Sequence, residues 1–306
     1  MRRTSHIVLA AALLAGCEGG ERTLPALFHP TTIVQWKGGG GYLAASYSDS
    51  RIQFMAQGGA TLALVGAGSG RPGHVLRLAL DEPRRTLWVL GADHAYLYRL
   101  PLGSQPPRLV AAAAVPFSRV HPRSCLPDLA LDGEGRAYVS STHSPTLAVV
   151  DPGTLQVRVQ PLVFPVAPRM PWSLSALAFT PDGKLLVAAD AATGTLWRID
   201  PRDWAPQPIA GAGELLGACG FAWQEGRRLA IALGFQKGVA VVELSPDYRR
   251  ALAPARRALE SAFVFSLLAE RGVLVFPVSV GRTIALRREP GLAPAQPQAA
   301  RHPGRG

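Results

Sequence analysis

The stretch Ala176–Asp200, ALAFTPDGKLLVAADAATGTLWRID, decides the fold. It reads as an apolar run, a tight Pro-Asp-Gly turn, a second apolar run, a polar turn and a third apolar run. Short Val/Ala/Leu-rich runs bounded by turn residues are the signature of β-strands. The same order of runs recurs along the chain at a period of about 45 residues, the mark of a repeat architecture. Clear copies are DLALDGEGRAYVSSTHSPTLAVVD from Asp128 and GFAWQEGRRLAIALGFQKGVAVVEL from Gly220. Weaker copies begin at Ile33, Arg77 and Phe265, which makes six. Gly135, Gly183, Gly226 and Gly272 mark one turn register, and Gly41 takes that place in the first copy.

In most copies a fourth apolar run follows, such as Thr61 to Val65, Arg108 to Ala112 and Val157 to Leu162. Four antiparallel strands per unit with no helical periodicity between units predict an all-β chain, a six-bladed β-propeller of four-stranded blades. The last copy supplies only three runs, and one surplus run, Leu24 to Phe28, lies ahead of the first copy. The economical expectation is that this N-terminal strand lies beside Thr283–Arg287 as the outermost strand of the last blade and closes the ring. The propeller then spans residues 23–289, and the Pro/Ala/Gln/Arg-rich segment 290–306 reads as a disordered tail.

These repeats resemble the six-bladed propellers of the NHL and SMP-30/gluconolactonase-like group, over roughly Thr31 to Glu289. The resemblance rests on an L-A-x-D-x-x-G-x-L-Y-V pattern followed by x-L-x-V-D. It implies an architecture and leaves the activity open, because propellers host lactonases, esterases, dehydrogenases and interaction scaffolds. In the lactonase branch the resemblance implies a divalent metal held in the channel by Glu, Asn and Asp. This chain contains no asparagine, so that ligand set is incomplete.

The N-terminus reads as an export signal. Arg2 and Arg3 precede an apolar segment, Ile7 to Gly16, which ends in Leu14-Ala15-Gly16-Cys17. That ending resembles the lipobox of bacterial lipoproteins, with residues 1–16 removed, Cys17 diacylated and residues 17–22 as a short tether. The apolar segment is shorter than the about 20 residues that span a bilayer. Glu18 after the cysteine, rather than Asp, favours the outer over the inner membrane by the enterobacterial sorting pattern, so the expected location is the periplasm-facing cell envelope. Glu18 to Arg22 reach at most about 18 Å when extended, which sets the propeller close to its membrane. The lipid leaves from the face opposite the loops that lead into the innermost strands.

The chain carries a net charge of +11, two charges of which belong to the leader. Only Lys37, Lys184 and Lys237 are lysines, so the excess is arginine scattered among strands, a pattern of GC-rich coding rather than of nucleic-acid binding.

In propellers, ligands are usually met on the face formed by the loops leading into the innermost strands and the loops between second and third strands, here called the inlet face. His74, His121 and Cys125 fall on loops of the first kind, His94 and His143 on the second, all in blades two and three. Imidazole and thiolate donors suit a divalent transition metal, the one cofactor this pattern allows for. No short H-x-H or C-x-x-C pair pins two of them together. Two inlet loops are long and proline-rich, Val115–Leu126 and Phe164–Trp172, and carry Arg119, Arg123, Arg169 and Trp172. With Arg77 and Asp128 at inner-strand starts, these residues form the candidate ligand-binding set. Arg77 and Asp128 occupy equivalent places in neighbouring blades and could equally satisfy each other as an ion pair. Cys125 and Cys219 sit at inner-strand starts with one blade between them, a spacing expected to exceed the about 7 Å that a disulfide spans, and their redox state stays open.

The expected function is a tethered, non-enzymatic propeller that binds an envelope protein or an anionic small molecule at its inlet face. The rival is a periplasmic hydrolase of lactonase or esterase type, or an oxidoreductase, working at the channel mouth.

Overall fold

The computed structural model describes residues 30–46, 52–57, 61–64, 75–91, 94–99, 110–116, 128–141, 144–165, 174–213, 215–252, 254–259, 264–280 and 283–292. Twenty-three strands and one short 3₁₀ turn make up the regular structure among these residues. They form five four-stranded antiparallel sheets and one three-stranded sheet, each a meander in chain order. The innermost strands are β1 (Pro30–Trp36), β5 (Val75–Asp81), β9 (Leu129–Leu131), β13 (Ala176–Phe179), β17 (Ala218–Trp223) and β21 (Leu268–Glu270). Each touches the next in this order, and β21 returns to touch β1. The sheets are therefore blades arranged around an axis, and the chain is an all-β propeller.

The expectation of six four-stranded blades is met in part among the described residues. Five blades are four-stranded, and the last sheet has three strands, β21, β22 (Val273–Val280) and β23 (Thr283–Pro290). Thr23–Phe28, the segment expected to complete it, lies outside the described residues, as do the rest of residues 1–29, Cys17 among them, and residues 293–306. No helix among the described residues is long and apolar enough to cross a membrane.

Strand alternation puts one apolar set on each face of a blade, and neighbouring blades bury these sets against each other. The junction of the fourth and fifth blades holds Val187, Leu196, Leu229, Ile231, Leu233 and Val242, all buried. That of the last and first blades holds Ile33, Tyr42, Met55, Val275 and Ile284. Hydrophobic burial between sheets, at about 25 cal/mol per Å² of apolar surface, is the main force that joins the blades. One close approach requires glycine, because a Cβ on Gly220 would collide with the Phe265 carbonyl of the next blade.

The turn register read from the glycines holds at Gly135, Gly183, Gly226 and Gly272, where φ lies between 69° and 79°. In the first blade the left-handed position belongs to Gly40 (φ 67°), not Gly41. The second blade has no glycine in this turn, and Arg85 adopts φ 52° there.

Candidate functional site

The site lies where the innermost strands begin, at the inlet end of the axis. Three of these strands carry a β-bulge in the same place. Pairing steps from Pro30 to Thr32 against β2 (Gly41–Ser46), from Val75 to Arg77 against β6 (Thr86–Gly91) and from Ala218 to Gly220 against β18 (Arg228–Leu233). Thr31, Leu76 and Cys219 are left as the extra residues. A bulge leaves its extra residue outside the ladder and re-aims it.

The carbonyls of all three bulged residues point at one guanidinium. Arg77 Nη1 donates to the carbonyls of Thr31 (3.2 Å) and Leu76 (2.9 Å), and Nη2 donates to that of Cys219 (2.6 Å). Arg77 Nε donates to Asp128 Oδ1 at 2.7 Å. Four of the five guanidinium hydrogens are thereby engaged. Arg77 belongs to the second blade and Cys219 to the fifth, with two blades between them on either side of the ring, so the side chain crosses the axis. Both members of the pair are about 5% exposed.

Asp128 relays the link onward, since its Oδ2 accepts the Leu177 amide of the fourth blade at 2.7 Å and its own amide donates to Ser140 Oγ. Burial pushes the Asp128 carboxyl up from its ordinary value, against the downward pull of Arg77 and of the Leu177 amide.

Short bonds complete the circuit at the same level. Thr31 Oγ1 donates to the Val75 carbonyl (2.8 Å) and Ser175 Oγ to the Ala218 carbonyl (2.5 Å). Cys219 Sγ donates to the Val264 carbonyl (3.5 Å), and the Ile33 amide donates to Ser266 Oγ (3.3 Å). Every pair of neighbouring blades is thus joined by at least one side-chain hydrogen bond at the inlet end. Cys219 is a buried free thiol raised to about 11 by desolvation, which makes it a poor nucleophile.

The ion-pair alternative read for Arg77 and Asp128 is the arrangement found. Arg119, Arg123, Arg169, Trp172, His74, His121, Cys125 and His143 lie outside the described residues. His94 begins β7 (His94–Arg99), and its side chain is outside the description. No group of three or more His, Cys, Asp or Glu side chains suited to a metal occurs among the described residues. Sequence reasoning missed the carbonyls of Thr31, Leu76 and Cys219, for a bulge carries no fixed residue signal.

The opposite face holds an open groove of about 490 Å³, lined by Asp132, Arg136, Tyr138, Phe179, Asp200 and Arg202 among others. Its charges are already matched within their own turns. Asp132 accepts the amides of Glu134 and Arg136 (both 2.9 Å) and pairs with Arg136 Nε at 2.6 Å. Asp200 pairs with Arg202 at 2.5 Å, and this bond lowers its carboxyl to about 2. Tyr138, hydrogen-bonded to Asp132, is pushed up to about 12, mainly by burial.

No protein-family model and no curated protein matches this chain. Solved structures do match in fold. The chain is similar to the major allergen Mala s 1 of Malassezia sympodialis, with TM-score 0.63 and 14% identity over 81% of this chain and 86% of that one. It is similar to a catalytically inactive virginiamycin B lyase from Staphylococcus aureus, crystallised with quinupristin, with TM-score 0.59 and 10% identity over 86% and 84% of the two chains. It is also similar to the PQQ-bound aldose sugar dehydrogenase of Streptomyces coelicolor, with TM-score 0.59 and 15% identity over 86% and 94%. At these identities the likeness shows the propeller fold.

Proposed function

We propose that this chain is a lipid-tethered propeller of the bacterial envelope that binds an envelope protein or an anionic small molecule at its inlet face, without catalysing a reaction. In this reading Cys17 carries the anchor, and Thr23–Phe28 completes the last blade as its fourth strand. The observation that supports it is the commitment of the axial polar groups. Arg77 and Asp128, the charged residues at the starts of the inner strands, are engaged by hydrogen bonds, most of them to other blades. Recognition then falls to the long inlet loops, whose arginines would steer an anionic partner. The metal donor set His74, His94, His121, Cys125 and His143 belongs to the enzymatic rival.

A photo-crosslinking amino acid placed at Arg123, and as a control at Arg202 on the opposite face, tests this in envelope preparations of the native host. The expected result is a discrete adduct from position 123 that position 202 does not give. Equal labelling from both positions, or turnover of a hydrolase substrate accompanied by stoichiometric bound metal, overturns the reading. Tethering is tested separately by Cys17→Ser, which should move the protein from the membrane to the soluble fraction.

A further inference from the structure

We propose that the inlet end of the axis is a binding site for a planar guanidinium cation, with the Arg77 side chain as its resident occupant. The acceptors are supplied by the backbone and by one carboxylate: the carbonyls of Thr31, Leu76 and Cys219 and Oδ1 of Asp128, at 2.6 to 3.2 Å from three different nitrogens. Three of the four oxygens belong to bulged residues in three different blades. The carbonyls of Thr31 and Cys219 are carried by the backbones of other blades, so blade packing and not the Arg77 side chain sets their positions.

The spread of these oxygens fixes the class of ligand. Each faces its own N–H around the guanidinium plane, whereas a calcium ion needs six to eight oxygens at about 2.3 to 2.6 Å from a single centre. A metal would have to draw four blades inward, and an ammonium could reach only part of the set. Only a delocalised planar cation with forked donors meets all four at once. Truncating Arg77 leaves a negatively polarised cavity in which buried acceptors have lost their donors, and such acceptors carry the full penalty of desolvation.

The test is chemical rescue. Arg77→Ala keeps the Cβ, so ethylguanidinium replaces the missing atoms. The variant should melt about 10 °C below the wild type, the shift that loss of one partner of a buried pair gives in a chain of this size. Ethylguanidinium, at concentrations too low to denature the wild type, should restore at least half of that loss in a saturable way. Calorimetry should show one site per chain in the variant and none in the wild type. N-ethylurea, planar but neutral, and calcium chloride should restore nothing. Recovery by either control equal to that by ethylguanidinium, or no saturable recovery, overturns the proposal. Should Arg77→Ala accumulate unfolded, its refolding yield with ethylguanidinium against N-ethylurea reads the same question with the same two outcomes. Arg77→Lys supplies a second reading, since it keeps the charge but not the fork. It should melt well below the wild type, and wild-type stability in it would contradict a site for planar cations.

Discussion

Arginine–aspartate pairs stand at both ends of the blades, and they do different work. At the inlet end, Arg77 and Asp128 are buried and belong to different blades, and their remaining hydrogen bonds reach three more. At the outlet end, Arg202–Asp200 and Arg136–Asp132 each close a turn of a single blade, with the arginine in water. Burial separates the two cases. An exposed pair gains little, because water and salt screen it. A buried pair is costly to assemble, and costlier still to break once it is assembled. The inlet pair is therefore a linchpin of the ring, and the outlet pairs shape turns.

The largest expected effect that breaks this symmetry is the loss of one buried partner. Asp128→Ala leaves the Arg77 charge unpaired on the axis and should cost about 3–5 kcal/mol in denaturant unfolding. Arg202→Ala should leave the melting temperature within about 2 °C of the wild type.

Acid titration should separate the two aspartates by sign. Asp200, lowered to about 2 by its bond to Arg202, adds stability above the ordinary carboxylate pKa of about 4, and this stability is lost as pH falls towards 2. Asp128 is raised, so its folded-state carboxyl holds its proton longer than the unfolded one. Its contribution is present below the unfolded pKa and falls as pH rises through it towards the folded value. From about pH 2 to about pH 7, Asp200→Asn should flatten the rise of stability below about pH 4, and Asp128→Asn should remove a fall of stability that begins at about pH 4. Unfolding midpoints measured across that range check both.

Smaller effects sharpen the picture of the circuit. Ser175→Ala removes a buried donor from the Ala218 carbonyl and should cost about 1–3 kcal/mol. At the outlet end, Arg85→Gly relieves a left-handed φ of 52° and should stabilise by up to about 1 kcal/mol. A destabilised Arg85→Gly would show that the Arg85 side chain does more than bear this turn.

Much of this was legible in the sequence because strand and turn signals are local. The rhythm of apolar runs, with a period of about 45 residues, locates β13, β14 (Leu186–Ala189) and β15 (Leu196–Ile199). Arg77 and Asp128 could be matched because the repeat aligns them. The cage around them could not, because Thr31, Leu76 and Cys219 share no side-chain chemistry and act through carbonyls that any residue has. Gly41 was misjudged for a related reason. In a run of four glycines the letters do not say which takes positive φ, and Gly40 does. Nor does sequence show that the Arg85 turn manages without glycine.

A double-mutant cycle on Arg77 and Asp128, run beside one on Arg202 and Asp200, tests the central claim most directly. Unfolding free energies of Arg77→Ala, Asp128→Ala and the double variant should give a coupling energy of about 2–3 kcal/mol, the upper part of the range for residues in contact. The outlet cycle should give less than about 1 kcal/mol, because water screens the exposed Arg202 partner. Coupling of equal size at both ends, or none at the axis, would mean that the inlet pair does not hold the blades together.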